Sequence, residues 1–445
     1  MDSAEMSQAS RIFTTAASSG RGARLGRLAL PGRKAFDTPN YMSVASRGVV
    51  PHITPDNISK HTSMVPTYMA LEDFIERKQP PIHDTPSTTT SQTNPGSKLH
   101  SFTALPSSVP TIMAARRCPP VTAPQGNTSK SVTLFTSTGF RNITVPEFAS
   151  AVASLRPDVI VPMADLLHTS TTPPSKKLVR MAERTEEWLD EFLRLTDTAS
   201  QAVFAPVLAV EYPIQWDYLR HLAQDVRESL SGLAVYDTNL LPSLGDYPSL
   251  GPLPKLSLEP PKSPHDILQQ ISLGVDVCVA PFINAVSDAG VAMTFQFPAP
   301  SPAKEAIPAL LGVDMWSEEH STSLTPLLEG CNCYACTSHH RAYMRHLLNA
   351  KEMLGWNLLQ LHNHFTVDCF FRGVRESLQD GSFEAEKTRF LAAYGVDFPQ
   401  GTGERPRARG YHFKSEAAQE KINKTTWKEL NAHSVTGGVP EDKMA

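Results

Sequence analysis

Between residues 159 and 280, short apolar runs alternate with longer segments in which apolar positions recur every three or four residues. The short runs are typical of buried strands, and the spacing of three and four is typical of helices with one apolar face. The predicted strands are 159–161, 202–210, 233–236 and 275–280, and the predicted helices are 175–195, 215–230 and 264–273. This part of the chain is therefore predicted to repeat a strand–helix unit.

Repeated strand–helix–strand alternation implies parallel strands joined by crossover helices. Two α/β architectures are built in this way, the closed (β/α)8 barrel and the open doubly wound sheet. A length of 445 residues suits one (β/α)8 TIM barrel that carries an inserted subdomain. The sequence contains no Gly-x-Gly-x-x-Gly turn that would favour a dinucleotide-binding open sheet. We therefore predict the barrel, over residues 21–400.

Three segments fall outside the regular pattern. Residues 79–127 are rich in Pro, Ser and Thr, which predicts long loops around short buried pieces, either a surface excursion or a decayed element. Residues 1–20 are predicted to be a disordered tail. A weak organelle presequence is the alternative for this end of the chain, and Asp2 and Glu5 favour the tail. Residues 401–445 are predicted to be a basic and polar C-terminal tail.

The charge balance gives the chain no overall attraction for nucleic acid. Its formal net charge is −4, so any RNA contact must come from a local basic patch or from a partner subunit. No segment approaches the roughly 18 consecutive apolar residues that span a membrane.

Three of the six cysteines, Cys331, Cys333 and Cys336, fall within six residues, which is the spacing of metal ligands and not of a disulfide framework. Three thiolates and one imidazole suit a tetrahedral Zn²⁺ ion. The alternative is a cluster of buried or reactive cysteines. With four protein ligands the site would have no position for water, which predicts a structural ion and disfavours a zinc-dependent hydrolase. A reducing, intracellular compartment fits this cysteine usage best.

Spacing alone leaves the fourth ligand open. Two of the nearby histidines, His362 and His364, are expected to point to opposite sides of one helix, so that only one of them can reach the metal. The remaining candidates are expected to be solvated or to lie too early in the preceding helix. They are His339, His340 and His346.

The sequence around the cysteines resembles the tRNA-guanine transglycosylases. Their zinc motif, Cys-x-Cys-x-x-Cys, is followed by a Tyr-x-x-His-Leu helix and by an Ile/Leu-His-Asn segment. The matching residues here are Cys331, Cys333, Cys336, Tyr343, His346, Leu347, Leu361, His362 and Asn363. Further matches are found in segments 23–26, 38–39, 47–52 and 262–276. The resemblance implies that His362 is the fourth ligand. It also implies one zinc subdomain, at about 315–370, inserted near the C-terminal end of a (β/α)8 barrel.

Members of this family exchange guanine at the anticodon wobble position of tRNA for a deazaguanine. The exchange needs a carboxylate nucleophile and a second carboxylate that acts as general acid and base. This sequence matches neither of the two family motifs that carry these carboxylates. The nucleophile position falls on Val277 or on Val279, according to the direction of counting, and the only Gly-Gly pair is Gly437-Gly438 in the tail. Asp276 would serve as nucleophile only after a shift of the strand register.

A chain that keeps the zinc motif but lacks both carboxylates resembles the non-catalytic branch of the family. The resemblance implies a cytoplasmic protein, without catalytic residues, that forms a heterodimer with a catalytic paralogue and meets tRNA through the complex. An active transglycosylase that uses Asp276 is the alternative. Peripheral association with mitochondria stays open.

Two further features also resemble the non-catalytic branch. Asp165 lies at a position that binds base in active members, and it is equally well interpreted as a structural residue at a strand end. Four basic residues near the C-terminus are interpreted as solvated charges or as contacts to tRNA phosphates. They are Arg405, Arg407, Arg409 and Lys414.

Overall fold

The structure is a computed structural model of the chain. It describes residues 12–15, 22–63, 66–76, 80–85, 97–123, 126–136, 138–168, 172–198, 201–300 and 307–406. The predicted tail at 401–445 therefore lies outside the described residues from position 407 onward, and that at 1–20 except for 12–15.

Fifteen strands and twelve α-helices follow one another along the described part of the chain. The strands are β1 (Phe13–Thr15), β2 (Gly26–Leu28), β3 (Phe36–Thr38), β4 (Asn40–Val44), β5 (Thr67–Ala70), β6 (Thr111–Ala114), β7 (Ser131–Thr136), β8 (Gly139–Thr144), β9 (Val159–Ile160), β10 (Ala202–Val207), β11 (Gly232–Val235), β12 (Lys255–Ser257), β13 (Val277–Val279), β14 (Val291–Met293) and β15 (Gly312–Asp314). The α-helices are α1 (Pro55–His61), α2 (Pro81–Asp84), α3 (Lys98–Thr103), α4 (Val145–Leu155), α5 (Ser175–Leu195), α6 (Tyr212–Gln224), α7 (Pro264–Ser272), α8 (Phe282–Asp288), α9 (Tyr334–Ser338), α10 (Arg341–Asn349), α11 (Met353–Asp380) and α12 (Phe383–Ala393). Short 3-10 helices span Leu71–Asp73, Arg227–Ser229, Thr238–Asp246, Pro248–Leu250 and Glu318–His320.

Eight strands close into one parallel barrel. The order is β4, β5, β6, β9, β10, β11, β12 and β13, and β13 pairs again with β4. Successive side chains of a strand point to opposite faces, so Val277 and Val279 of β13 join the apolar barrel interior while Cys278 faces the surrounding helices. The predicted α/β class and the (β/α)8 TIM barrel are confirmed, and the open doubly wound sheet is excluded.

The proline-rich region at 79–127 was expected to hold loops around short buried pieces. It also contains β6, a full member of the barrel that pairs with β5 on one side and with β9 on the other. All four residues of β6 are buried. A strand this short, placed soon after Pro110, has no sequence period that would distinguish it from a buried loop.

The strand–helix predictions between 159 and 280 are confirmed, with shifted ends. The helix predicted at 175–195 has those bounds in the structure, as α5. The helix predicted at 215–230 begins earlier, at Tyr212, and ends at Gln224. The earlier start reflects Pro213, since a proline is tolerated in the first helical turn, where no intrahelical partner is needed for its missing N–H.

A small antiparallel sheet formed by β1, β2 and β3 covers the end of the barrel at which the strands begin. Leu28 and Phe36 of this sheet, and Leu30 in the connection between β2 and β3, belong to the same apolar cluster as the barrel interior. This end of the barrel is therefore filled by apolar side chains, and the opposite end, where the strands finish, is the one that is open to a ligand. Among the described residues, no helix combines the length and the apolar character that crossing a membrane requires.

Helix α11 is the longest described helix, and it is held against the outside of the barrel by a polar network. The Tyr41 hydroxyl group, on the outer face of β4, lies 2.9 Å from Asp368 Oδ1 and 3.1 Å from His364 Nδ1. His364 Nε2 lies 3.2 Å from Gln360 Nε2, which is a donor, so His364 is neutral with its proton on Nδ1. Burial agrees with this assignment, since it lowers the pKa of His364 to about 3. Each hydrogen bond of the network is therefore donated in the same direction, from Gln360 to His364, from His364 to Tyr41 and from Tyr41 to Asp368.

We predict that Asp368→Asn changes how stability depends on pH. Enclosure within the protein raises the pKa of Asp368 to about 6 from an ordinary value of 3.8. The folded chain therefore binds a proton more tightly than the unfolded chain, and Asp368 makes the free energy of unfolding fall as pH rises from about 4 to about 6. Asparagine keeps an acceptor for Tyr41 and removes the titration. The stability of the variant relative to wild type should increase by roughly 1–2 kcal/mol over this range, measured by denaturant unfolding at several pH values.

The exposed Asp217 on α6 provides the control, since Asp217→Asn removes a carboxylate at the surface. Its pH profile should run parallel to that of the wild type. A profile of Asp368→Asn that is also parallel to wild type would contradict the prediction.

Candidate metal centre and the mouth of the barrel

Four side chains converge beside the barrel to form a cluster that could hold a metal ion. Cys331 and Cys333 precede the short helix α9, Cys336 lies within it, and His362 is contributed by α11. Their ligand atoms all lie within 4.8 Å of one another. Cys331 is partly exposed, and the other three are buried.

The spacing of these atoms fits a tetrahedral ion. The His362 Nδ1 atom lies 3.4 Å from the sulfurs of Cys333 and Cys336 and 3.8 Å from that of Cys331. With zinc–sulfur bonds of about 2.3 Å and zinc–nitrogen bonds of about 2.0–2.1 Å, tetrahedral geometry places nitrogen and sulfur roughly 3.6 Å apart. All three cysteines are free of disulfides. The site is therefore compatible with zinc.

The surroundings of the cluster fix the orientation of its ligands. His362 Nε2 lies 2.8 Å from the carbonyl oxygen of Met293, which can only accept a hydrogen bond. Nε2 therefore carries the proton, and Nδ1 presents its lone pair to the sulfurs. The backbone N–H of Cys336 donates to Cys333 Sγ at 3.3 Å. An apolar cluster that includes Met344, Leu348 and Trp356 packs around the site.

The other candidate histidines lie away from the cluster of ligand atoms. His364 is turned toward β4, on the side of α11 opposite to His362, as its position two residues later predicts. His340 begins α10 by accepting a hydrogen bond from the Tyr343 backbone N–H, and His339 stacks on the Tyr343 ring at a centroid distance of 5.2 Å. His346 is exposed. Of these histidines, the structure brings only His362 to the three sulfurs.

Asp276, the alternative nucleophile, lies at the wrong end of the barrel for catalysis. It precedes β13 and is completely buried. Both of its carboxylate oxygens are occupied: Arg24 donates to them at 2.8 and 2.6 Å, and the backbone N–H of Lys255 donates at 2.7 Å. TIM-barrel enzymes place their catalytic groups at the opposite end, where the strands finish. Asp276 is therefore a structural residue.

At the end where the strands finish, the β13 segment presents apolar groups. Val277 and Val279, the two residues on which the nucleophile position falls, are buried in the barrel interior. Ala280 and Pro281 follow, and α8 begins at Phe282. None of these side chains has an atom that can attack a sugar carbon or transfer a proton.

A cavity of about 210 Å³ opens at this same end, between the residues that follow β6 and those that follow β9 to β12. Asp165 lies beside it, and both of its carboxylate oxygens are bonded, one to Asn127 Nδ2 at 2.8 Å and the other to Arg184 Nη1 at 3.0 Å. The interpretation of Asp165 as a structural residue at a strand end fits these contacts. Arg116 also lines the cavity and is not predicted as a site residue from the sequence, where its only signal is an Arg-Arg pair directly after an apolar run.

The chain is similar in sequence to proteins of one family. A family model described as queuine tRNA-ribosyltransferase matches residues 19–396. A protein of Schizosaccharomyces pombe named queuine tRNA-ribosyltransferase accessory subunit 2 is 35% identical over 421 residues, which are 92% of this chain and 90% of that protein. Proteins of the same name from Xenopus laevis and Drosophila melanogaster are 26% and 25% identical, over 82% and 80% of this chain and 95% and 86% of their own lengths. The chain therefore belongs to the queuine tRNA-ribosyltransferase family, the tRNA-guanine transglycosylases.

Proposed function

We propose that this chain is the non-catalytic accessory subunit of a heterodimeric queuine tRNA-ribosyltransferase. That enzyme exchanges guanine for queuine at the wobble position of tRNAs with GUN anticodons. The observation that carries the proposal is the pair of buried valines, Val277 and Val279, at the strand that bears the nucleophile in active family members. The names of its relatives as accessory subunits support the same conclusion.

For the metal centre we propose one structural Zn²⁺ per chain, held by Cys331, Cys333, Cys336 and His362. The support is chemical: three thiolates and one imidazole fill a tetrahedron and leave no position for a reactive water. The ion would join the loop before α9 to the long helix α11. We place the zinc subdomain at about 315–370, within a barrel domain at 21–400.

The partner is proposed to be a catalytic paralogue, and tRNA would be bound through the complex. A formal net charge of −4 argues that this chain alone has no strong general affinity for RNA. Of the four basic residues near the C-terminus, only Arg405 lies among the described residues. We propose a cytoplasmic location.

The purified chain alone should show no exchange of labelled guanine into tRNA, because it lacks a nucleophile at the mouth of the barrel. Addition of the catalytic paralogue should give exchange, and the two proteins should co-purify as a heterodimer. A chain that stays monomeric in the presence of the paralogue would contradict the proposed partnership.

Asp276→Asn tests the alternative function directly. Because it leaves Arg24 without a counter-ion in a buried position, the substitution should lower the free energy of unfolding by about 3 kcal/mol or more. It should not alter exchange by the complex that remains folded. The exposed Asp217→Asn should change neither property. Exchange by the chain alone that Asp276→Asn removes, while the fold survives, would overturn the proposed function.

The purified chain should contain one zinc ion, and Cys333→Ala should lose it because one of the four ligands is removed. The variant should also lose the fold of residues 330–365, because the free energy of metal binding contributes to folding. Metal content is measured by elemental analysis, and the folding of residues 330–365 by limited proteolysis. Cys369→Ser is the matched control, since Cys369 also lies on α11 but is outside the cluster. Unchanged protease resistance of Cys333→Ala would contradict a structural role for the ion.

A further inference from the structure

The cavity at the mouth of the barrel has mostly apolar walls. Met163, Leu167 and Tyr236 are among the residues that form them. An apolar cavity of about 150 Å³ is sufficient to hold benzene, so about 210 Å³ accommodates one substituted ring. The volume and the apolar walls therefore indicate a ligand with one apolar ring, and they do not indicate which polar group the ring bears.

The polar side of the cavity is dominated by the Arg116 guanidinium group. Its Nη1 atom donates to the Leu166 carbonyl oxygen at 2.9 Å, and its Nη2 atom donates to Asn127 Oδ1 at 2.8 Å and to the Thr133 carbonyl oxygen at 3.1 Å. Its Nε atom is buried and has no hydrogen-bond partner. A buried N–H group without an acceptor is unfavourable, so the surrounding protein groups satisfy this guanidinium group only in part.

Arg116 also lacks a counter-ion. Among the described residues, no carboxylate lies within 4.0 Å of its guanidinium nitrogens. The two nearest acidic residues have other partners: Asp165 bonds Asn127 and Arg184, and Glu72 accepts from Arg117 Nε at 2.7 Å and from the Arg117 backbone N–H at 2.8 Å. Arg116 is therefore contacted directly only by dipoles, and the carboxylates of Glu72 and Asp165 act on its charge from a longer distance, although buried charges are normally paired.

The imidazole of His168 is a further polar group at the cavity, and its charge state favours an anionic ligand. His168 lines the cavity, and burial together with the nearby Arg116 charge lowers its pKa to about 3. It is therefore neutral at physiological pH, and it can donate a hydrogen bond or accept one without adding negative charge. The lining of the cavity presents two guanidinium groups, that of Arg116 and that of Arg117, which is paired with Glu72, together with one neutral imidazole and, among the described residues, no carboxylate.

We infer that this cavity is a binding site for a small organic anion, a single ring that bears a carboxylate. The carboxylate faces the Arg116 guanidinium group, and the ring lies against the apolar walls. The site is independent of the metal centre and of the proposed accessory function. It also differs in chemistry from a site for guanine, whose donor groups at N1 and N2 would need a free acceptor such as the occupied Asp165 carboxylate.

The test is calorimetric titration of the full chain with benzoate, with its neutral isostere benzamide and with guanine. Benzoate should bind about tenfold or more tightly than benzamide, since a hydrogen bond to a charged group contributes more than a neutral one. Arg116→Gln should remove most of that preference. Ala209→Trp should abolish binding, because Ala209 lines the cavity, is exposed and can take a large side chain that fills the space.

Ala392→Trp, at an exposed position of α12, is the matched control and should leave the binding of benzoate unchanged. If Arg116→Gln does not fold, the Ala209→Trp comparison and the preference for benzoate over benzamide still decide the outcome. No binding of benzoate up to about 10 mM, equal affinity for benzamide, or binding that persists in Ala209→Trp would overturn the inference. Preferential binding of guanine would overturn it as well.

Discussion

The closure of the barrel depends on the seam at which the last strand, β13, pairs with the first, β4. Asp276 holds this seam through its backbone and its side chain together. Its carbonyl oxygen accepts from the Asn40 N–H at 3.0 Å, and its N–H donates to the Lys255 carbonyl oxygen at 2.9 Å. Its carboxylate adds Arg24 and the Lys255 N–H. One buried acid therefore joins three strands and the segment before β2, and this explains why the residue is an acid although it takes no part in chemistry.

The two ends of the barrel are built for different purposes. One end is filled by the β1–β3 sheet and by apolar residues such as Leu28 and Phe36, so it contributes stability. The other end keeps an open cavity, but the strand ends around it carry valines and already bonded acids. A barrel of this kind can lose its catalytic side chains and keep its cavity, because the residues that shape the barrel mouth are separate from those that would react.

The sequence was sufficient for those parts of the structure that depend on local patterns. The cysteine spacing predicts a metal cluster, and the apolar period over 175–195 predicts a helix with its observed bounds. It was insufficient where the structure of a segment depends on contacts with distant parts of the chain. The barrel strand β6 has four residues and no period of its own, and its identity follows only from pairing with β5 and β9. The position of the Arg116 guanidinium group depends on Leu166, Asn127 and Thr133, which accept hydrogen bonds from its Nη atoms and which no local pattern connects.

The contact between Tyr41 and Asp368 joins residues that are 327 positions apart in the chain. During synthesis the N-terminal part of a protein leaves the ribosome first, so β4 is available long before α11 has been made. The outer face of the first barrel strand is therefore covered late in synthesis, and the Tyr41 side chain lacks its partners on α11 until then. The order of translation thus makes the addition of α11 a late step in completing the barrel wall, and a chain truncated before residue 353 would keep all eight strands but leave the outer face of β4 without this helix.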